Sequence, residues 1–436
     1  MKPDDSIFTD DFKTQPYWWD AAPRPKTVLG EVPAQADVAV IGSGYTGLAA
    51  ALTLARSGRA VAVLEAEDPG FGASSRNAGF VGRTLKASFG ALLAQRGLSY
   101  AKAMYTEVDT AFHHVVELIQ SEQIQCQYTQ CGRFMGARSA SQYEAMSAEL
   151  ELKRKHLGQI HEMVPAASQH TEVGTDLYRG GALLPELGSL HPGLYHLGLL
   201  ERTKSAGVHV LARTPVRRLQ REGAGFRLHT DRGSLVAGNV LVATNGYTRG
   251  VTPWMRRRLI PFRGFMIATQ PLDEVTISRI LPNNRVTHDF NHNLQFLRRS
   301  PDNKRLLFGG LTGTIDDNMK VMATRLHRLL THVLPYMQGV KLSHAWNGFC
   351  AGTFDQYPHI GVHDGIHYAM GYCFAGLPMG TYLGHKAALR ILADADAATI
   401  FDDLPFPSRA WYWGTPWFLP VYMRYLNHQD RRSMRR

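Results

Sequence analysis

Residues 38–65, VAVIGSGYTGLAAALTLARSGRAVAVLE, leave this chain little freedom over its first folding unit. The short apolar run from Val38 to Ile41 suits a strand buried on both faces. Gly42, Gly44 and Gly47 follow in G-x-G-x-x-G spacing, with Tyr45 and Thr46 between them, and an Ala- and Leu-rich stretch to Arg56 reads as a helix. Ser57-Gly58 supplies a turn, and a second apolar run from Ala60 to Leu64 ends in Glu65 and Ala66. Strand, helix, strand and acid in register make a β-α-β unit carrying a dinucleotide-binding fingerprint. Gly42 permits the tight turn, Gly44 lets backbone approach a pyrophosphate, and Gly47 lets the helix lie close to the strand. The helix start offers free N–H groups and a positive dipole end to phosphates. Glu65 stands near the ~20-residue offset expected of a carboxylate that bonds a ribose 2′-OH, and it would repel a 2′-phosphate. The fingerprint leaves NAD and FAD both open, although its place near the start of the chain favours a flavoprotein.

Bulk properties narrow the class. At 436 residues, with 44% hydrophobic and 19% charged residues, the chain has material for two or three globular domains and is not a disordered one. Lys and Arg outnumber Asp and Glu by 48 to 37, partly through Arg256-Arg257-Arg258 and the tail 431–436. The excess reads as a solvated basic surface, and with no accompanying motif it gives no case for a nucleic-acid partner. No apolar run reaches the ~18 residues of a membrane span. The acidic opening MKPDDSIFTDDFK has no apolar core of a secretory signal. Cys126, Cys131, Cys350 and Cys373 suggest neither a disulfide framework nor a zinc site. A cytoplasmic, metal-free protein is the expectation.

Along the chain, residues 1–35 hold Pro16, Pro23, Pro25 and Pro33 and the cluster Tyr17-Trp18-Trp19, which predicts an extended arm docked by aromatic anchors. The pattern over 86–160 is largely helical, and 318–338 predicts another helix. Strand-like runs occupy much of 208–247 and 260–310. The fold class expected is α/β, with a discontinuous nucleotide-binding domain over 36–85, 184–252 and 341–395. A second, also discontinuous substrate domain takes 86–183 and 253–340, and 396–436 forms an aromatic and basic tail. Pro416 and Pro420 argue against a long amphipathic helix in that tail.

Two further glycine-rich segments sharpen the reading. NVLVATNGY, 239–247, is a strand ending in Ala243, Thr244, Asn245 and Gly246. IHYAMGYCFAGLPMGTYLGHKAAL, 366–389, is a strand, a loop from Gly376 to Gly380, and a helix. Taken in order with the first unit and with FGASSRNAGF at 71–80, they resemble the FAD-dependent D-amino-acid oxidase, glycine oxidase and sarcosine oxidase superfamily over nearly the whole chain. The branch they resemble most is that of gamma-glutamylputrescine oxidoreductase-like amine oxidases, through PYWW (16–19), GFGASSRN (70–77), LHPGLYHLGL (190–199) and PWFLP (416–420).

The resemblance implies a Rossmann-type FAD-binding domain of the glutathione-reductase kind and a second α+β domain on a mixed, largely antiparallel sheet. It implies that the loop 72–79 passes the flavin, with Ser74, Ser75, Arg76, Asn77 and Ala78 near it and Gly79 leaving room for the ring. It implies that Val216 presents backbone to the adenine. Gly376, Leu377, Pro378, Met379, Gly380 and Thr381 would then aim backbone N–H groups at the flavin edge that becomes negative on reduction. Cys350 does not align with the flavin-linking cysteine of some relatives, so the FAD is expected to be non-covalent.

By the same resemblance the reaction is oxidation of a primary or secondary amine, a gamma-glutamylputrescine-like compound or an N-alkyl amino acid. Hydride transfer to flavin N5 and imine hydrolysis to a carbonyl would be followed by reoxidation by O2, giving H2O2, or by another acceptor. The loop 377–381 carries no Lys or Arg to hold an α-carboxylate, which weakens an α-amino acid reading. No catalytic base stands out; Arg263 is the candidate cation on the substrate side, with a structural ion pair as its alternative role. Competing readings are a membrane-associated dehydrogenase that reduces a quinone, motivated by the aromatic and basic tail, and a non-catalytic FAD-binding subunit. Membrane association is the disfavoured alternative.

Overall fold

The uninterrupted apolar runs become a parallel sheet because strands buried on both faces need no polar alternation. A computed structural model of the chain describes residues 2–25, 29–314, 317–402 and 404–433. Gln35–Ile41 lies between Val61–Leu64 and Gly233–Val242, all parallel, with His209–Leu211 and Ile366–Met370 outside them. Val216–Glu222 and Gly225–Thr230 extend this eight-stranded sheet as an antiparallel meander, and His359–His363 pairs with Ile366–Met370. Helices Tyr45–Arg56 and Pro378–Ile391 cross in close contact: a Cβ added at Gly384 would stand 2.2 Å from the Thr46 carbonyl oxygen.

The second sheet has nine strands. Its order is Phe8–Lys13, Leu342–Gly352, Ile260–Thr269, Leu306–Gly310, Phe296–Arg299, Val286–Asp289, Arg133–Gly136, Gly181–Leu184 and Glu162–Val164. Most joins are antiparallel; Phe8–Lys13 with Leu342–Gly352, and Val286–Asp289 with Arg133–Gly136, are parallel. One face is apolar: Phe134, Leu297, Phe308, Ile267 and Ala345 form a core with Met322, Leu326 and Leu330 of helix Met319–Val333. The period of two sends the alternate residues to the opposite face. There Met135, His288, Phe296, Gly309, Met266 and Trp346 form one in-register row across six strands. This row faces the nucleotide-binding half, since Trp346 Nε1 donates to the Arg76 carbonyl at 2.9 Å and Phe296 meets the Phe80 ring at 5.8 Å.

The α/β architecture and the mixed second sheet agree with expectation; several segment assignments differ. Leu342–Gly352, grouped by sequence with 341–395, pairs along its length with Ile260–Thr269 in the second sheet. Helix Phe89–Ser121 does not stay with the second sheet: Phe89, Leu92, Ala101 and Met104 share the core of Val38, Val40 and Leu383. The arm is anchored by aromatics as predicted, with Trp18 fully buried against Met266, Leu307 and Trp346, but Phe8–Lys13 also adds an edge strand. In the tail, Leu419–Ser433 is a helix despite Pro420. Pro420 falls in the first turn, where its missing N–H has no intrahelical acceptor to lose. Met434 to Arg436, part of the basic tail, lie outside the described residues.

Candidate active site

Three neighbouring parallel strands, Gln35–Ile41, Gly233–Val242 and Ile366–Met370, end side by side, and their following loops converge. In open α/β sheets, ligands bind in a crevice at such carboxyl ends. Gly42 has φ +104, and a Cβ there would meet the Ala243 carbonyl oxygen at 3.1 Å. Gly47 is still more confined, its added Cβ standing 1.9 Å from the Gly42 carbonyl oxygen. Both glycines therefore do what their spacing implied. Asn245, with φ +41, accepts at Oδ1 from the Gly371 N–H at 2.9 Å, tying the second loop to the third. The third loop is strained: Cys373 and Phe374, consecutive non-glycine residues, have φ of +47 and +78.

Polar groups brace this crevice. The half-buried Glu65 accepts at Oε2 from Ser43 N and Oγ, at 2.9 and 2.7 Å, and at Oε1 from Glu67 N at 3.0 Å. Buried His196 lies beneath the first loop and donates from Nε2 to the Ser43 carbonyl at 2.8 Å; burial pulls its pKa to about 4, so it is neutral. Ser74 Oγ accepts from Tyr45 N at 3.0 Å, which caps the helix from the neighbouring loop. Thr46 Oγ1 donates to the Tyr372 hydroxyl at 2.8 Å, and that hydroxyl donates to the Ala369 carbonyl.

The residues named from sequence divide by what they touch. Arg76 is held between the rings of Trp19 and Phe71, each 4.7 Å from its guanidinium carbon, and donates to the Asn347 carbonyl, so it staples the 70–79 loop to the second sheet. Ser75 accepts from Trp19 Nε1 and Arg24 and donates to the Gly70 carbonyl. Asn77 folds the loop on itself by bonding the Ala73 and Ser74 carbonyls and Gly79 N. Gly79 has a different reason from the one expected: its Cβ would lie 2.2 Å from the Leu190 carbonyl oxygen and 2.7 Å from Arg298. Leu377, Met379 and Thr381 are core residues, and within this loop Gly376, half-buried with nothing nearer than 3.7 Å to an added Cβ, is the position with room for a ligand. Val216 is buried at the start of its strand. Gly246 approaches the Cys350 carbonyl oxygen of the second sheet, 2.6 Å from its added Cβ. Arg263 is ion-paired with Asp317 and lies over the Phe349 ring, so its charge is already met.

Sequence reasoning did not find Tyr247, whose hydroxyl accepts from Phe349 N at 3.2 Å across the two sheets, nor Lys86, Arg133 and His288. Tyr247 ends the NVLVATNGY segment but carried no role there, and the other three sit in no motif; strand register brings His288 and Arg133 to the inner face. Among the described residues there is no cluster of side chains that could hold a metal ion and no helix long and apolar enough to cross a membrane.

A fingerprinted parallel sheet set against a broad mixed sheet is the architecture of a dinucleotide-dependent oxidoreductase. The chain belongs to the DAO family of FAD-dependent oxidoreductases, whose model matches residues 37–390. Over 371 residues it is 29% identical to gamma-glutamylputrescine oxidoreductase of Escherichia coli, covering 85% of this chain and 86% of that one. It is likewise 29% identical over 378 residues to the probable oxidoreductase OrdL of Haemophilus influenzae, covering 86% of each. Glycine oxidase from Geobacillus kaustophilus shares the fold, with a TM-score of 0.70 at 21% identity over 87% of this chain and 99% of that one.

The residues present fit FAD. Two helix starts, at Tyr45 and Pro378, open onto the same crevice through loops of glycine and backbone. Glu65 keeps acceptor capacity beyond its bonds to Ser43 and Glu67. Gly264, on the inner face of the second sheet, has no atom within 4 Å of an added Cβ, so the sheet leaves space there.

Proposed function

We propose that the protein oxidises a primary or secondary amine, of the gamma-glutamylputrescine or N-alkyl amino acid type, to an imine that water converts to a carbonyl compound. The observation that carries this reading is the inner row of the second sheet, Met135 to Trp346, set against the 70–80 segment of the nucleotide-binding half. Likeness to gamma-glutamylputrescine oxidoreductase supports the substrate class. Bound FAD would supply the redox chemistry, taking a hydride equivalent from the carbon beside nitrogen. The chain's own part is to bind, orient and dry the amine. Phe80 and Phe296 would wall the cleft against water. His288 donates from Nδ1 to the Asp289 carbonyl at 2.8 Å, and burial lowers its pKa to about 4. Neutral, it keeps Nε2 as an acceptor that can hold an N–H of the bound amine. The N–H groups of Gly376 and Leu377, just ahead of the helix start, are the electrostatic partner for charge that develops at the cofactor, since those of Met379 and Gly380 already bond the Ala375 and Gly376 carbonyls. We read the cofactor as held without a covalent link.

Dioxygen is the acceptor we favour, with hydrogen peroxide released. All four cysteines are free thiols, which goes with a reducing, cytoplasmic setting. Anaerobic titration of the yellow protein with gamma-glutamylputrescine, putrescine and N-methyl amino acids tests the reading. Loss of the absorbance near ~450 nm with recovery in air is expected; a flavin that no amine bleaches would refute it.

One observation favours a second acceptor. Trp413, Trp417 and Tyr425 are 61%, 67% and 56% exposed, and Arg257 lies 3.7 Å from the Trp413 ring centre. Aromatics beside arginines suit a lipid headgroup layer, where an enzyme reducing a membrane quinone would sit. Bleaching without recovery in air, together with sedimentation on anionic vesicles, would select this reading over the oxidase.

A further inference from the structure

Arg133 is a buried cation without a counter-charge. It is 6% exposed, and its Nε is buried with no acceptor. Among the described residues its side chain has no hydrogen bond or ion pair; its one close polar-aromatic contact is with the Phe80 ring, 5.3 Å away. Burial lowers its pKa only to about 10, so it stays charged at neutral pH. An unpaired guanidinium taken out of water is strongly unfavourable. Two neighbouring arginines do have partners: Arg138, just past the same strand, is paired with Asp289 at 3.0 Å, and Arg298 donates to the Ala78 and Leu190 carbonyls.

Its surroundings are those of a ligand cleft. Arg133 shares the inner face with Met135 and His288, two residues along its own strand and on the next. Its guanidinium lies against Gly82, where an added Cβ would be 2.6 Å from a terminal nitrogen. Phe80 and Gly82 directly follow the 70–79 loop. Four residues on, Lys86 is exposed to solvent. Its ammonium stands 4.7 Å from the ring of Phe374, in the strained loop before helix Pro378–Ile391. Beyond burial, the charges of Arg133 and Lys86 both hold down the pKa of His288, so the two cations bear on one neutral imidazole.

We propose that Arg133, assisted by Lys86, binds a carboxylate of the amine substrate, and that this carboxylate is carried on a spacer away from the reacting nitrogen. The proposal rests on the amine-oxidising reading. A planar guanidinium takes a carboxylate through two parallel hydrogen bonds. The other candidate cation, Arg263, is occupied by Asp317, and the loop 377–381 holds none. Arg133 lies four strands across the sheet from Gly264, on the order of 19 Å at ~4.8 Å per strand, and four residues, roughly 13 Å, further along the strand direction. A substrate reaching from the open space at Gly264 to Arg133 is long, with its acid at the far end.

The test uses the full chain loaded with FAD, ω-amino carboxylates of increasing length, and alkylamines of matched length as probes. The longer carboxylates should half-saturate anaerobic bleaching at about 100-fold lower concentration than their alkylamine partners. Arg133→Met should bring that ratio near one, Arg133→Lys should restore part of it, and Lys86→Gln should reduce it several-fold. A second readout is thermal unfolding. Without ligand, Arg133→Met should raise Tm, because an uncompensated buried charge is gone, and adipate should raise the Tm of the wild type but not of the variant. Retention of the ratio by both Arg133→Met and Lys86→Gln, or a lower Tm with loss of flavin in Arg133→Met, would overturn the proposal. If no amine bleaches the wild type while adipate still stabilises it through Arg133, the amine reading fails and the anion subsite stands. If amines bleach it regardless of a carboxylate, the subsite fails and the amine reading stands.

Discussion

Asn245 Oδ1 accepts the Gly371 N–H at 2.9 Å while its own backbone sits at φ +41. One side chain thus joins two of the three loops at the crevice, and an asparagine is among the few residues that tolerate the conformation. Asn245→Ala leaves the Gly371 N–H without its partner and adds backbone strain, a cost of roughly 2–3 kcal/mol. Asn245→Gly loses the bond but not the conformation and should cost about half as much. Thermal unfolding of the FAD-loaded proteins checks the order; equal Tm values for all three would remove the bond from any structural role.

Two glycines, one before helix Pro378–Ile391 and one within it, should respond in opposite ways. Gly384→Ala drives a Cβ into the Thr46 carbonyl oxygen, 2.2 Å away, and must part helices Tyr45–Arg56 and Pro378–Ile391. We expect a loss of several kcal/mol and little flavin retained on purification. Gly376→Ala meets nothing nearer than 3.7 Å and should fold normally. Its flavin spectrum and turnover then report whether backbone at this position approaches the cofactor.

Acid should weaken the crevice before it unfolds the rest. Burial lowers the pKa of His196 from 6.5 to about 4, and His191 behaves alike. Above pH 6.5 both are neutral in folded and unfolded chains, and their stabilisation is complete. Between pH 6.5 and 4 the unfolded chain takes up protons that the folded chain refuses, so stability falls as pH falls; for His196 alone the loss approaches roughly 3 kcal/mol. Because His196 Nε2 holds the Ser43 carbonyl under the first loop, flavin release should accompany the fall. Tm and free-flavin fluorescence measured from pH 7 to 4 test this, and profiles flat over that range would contradict it.

Glu65 should matter to the cofactor more than to the fold. Its Oε2 bonds Ser43 at the head of the fingerprint, and the sequence spacing assigns its remaining acceptor capacity to a ribose. Glu65→Ala should raise the FAD dissociation constant by about 10- to 100-fold, in the range of one to two charge-assisted hydrogen bonds. Dilution of the loaded protein, followed by flavin fluorescence, measures it. Unchanged retention would detach Glu65 from the cofactor.

The β-α-β unit, the crevice loops and the family were legible because their requirements are local. A positive φ at Gly42 and close approach at Gly47 are demanded within a few residues of chain, and only glycine meets them. Buried parallel strands announce themselves as apolar runs for the same reason. A structural ion pair was the alternative the sequence offered for Arg263, but its partner was not legible, since Asp317 is far from it in sequence.

The amino-acid sequence by itself determined a flavin-type nucleotide-binding unit near the start of the chain, a second domain rich in strands, and an aromatic arm that docks. Only the tertiary structure decided which sheet receives Leu342–Gly352, where Phe8–Lys13 pairs, and which side chains line the inner face. Alternation along a strand states that one face is buried but not against what, and register between strands distant in sequence is set by the packing of the whole core. Arg133 shows the difference: within its strand it is one basic residue before Phe134, and only the pairing with Val286–Asp289 makes it a buried charge beside His288.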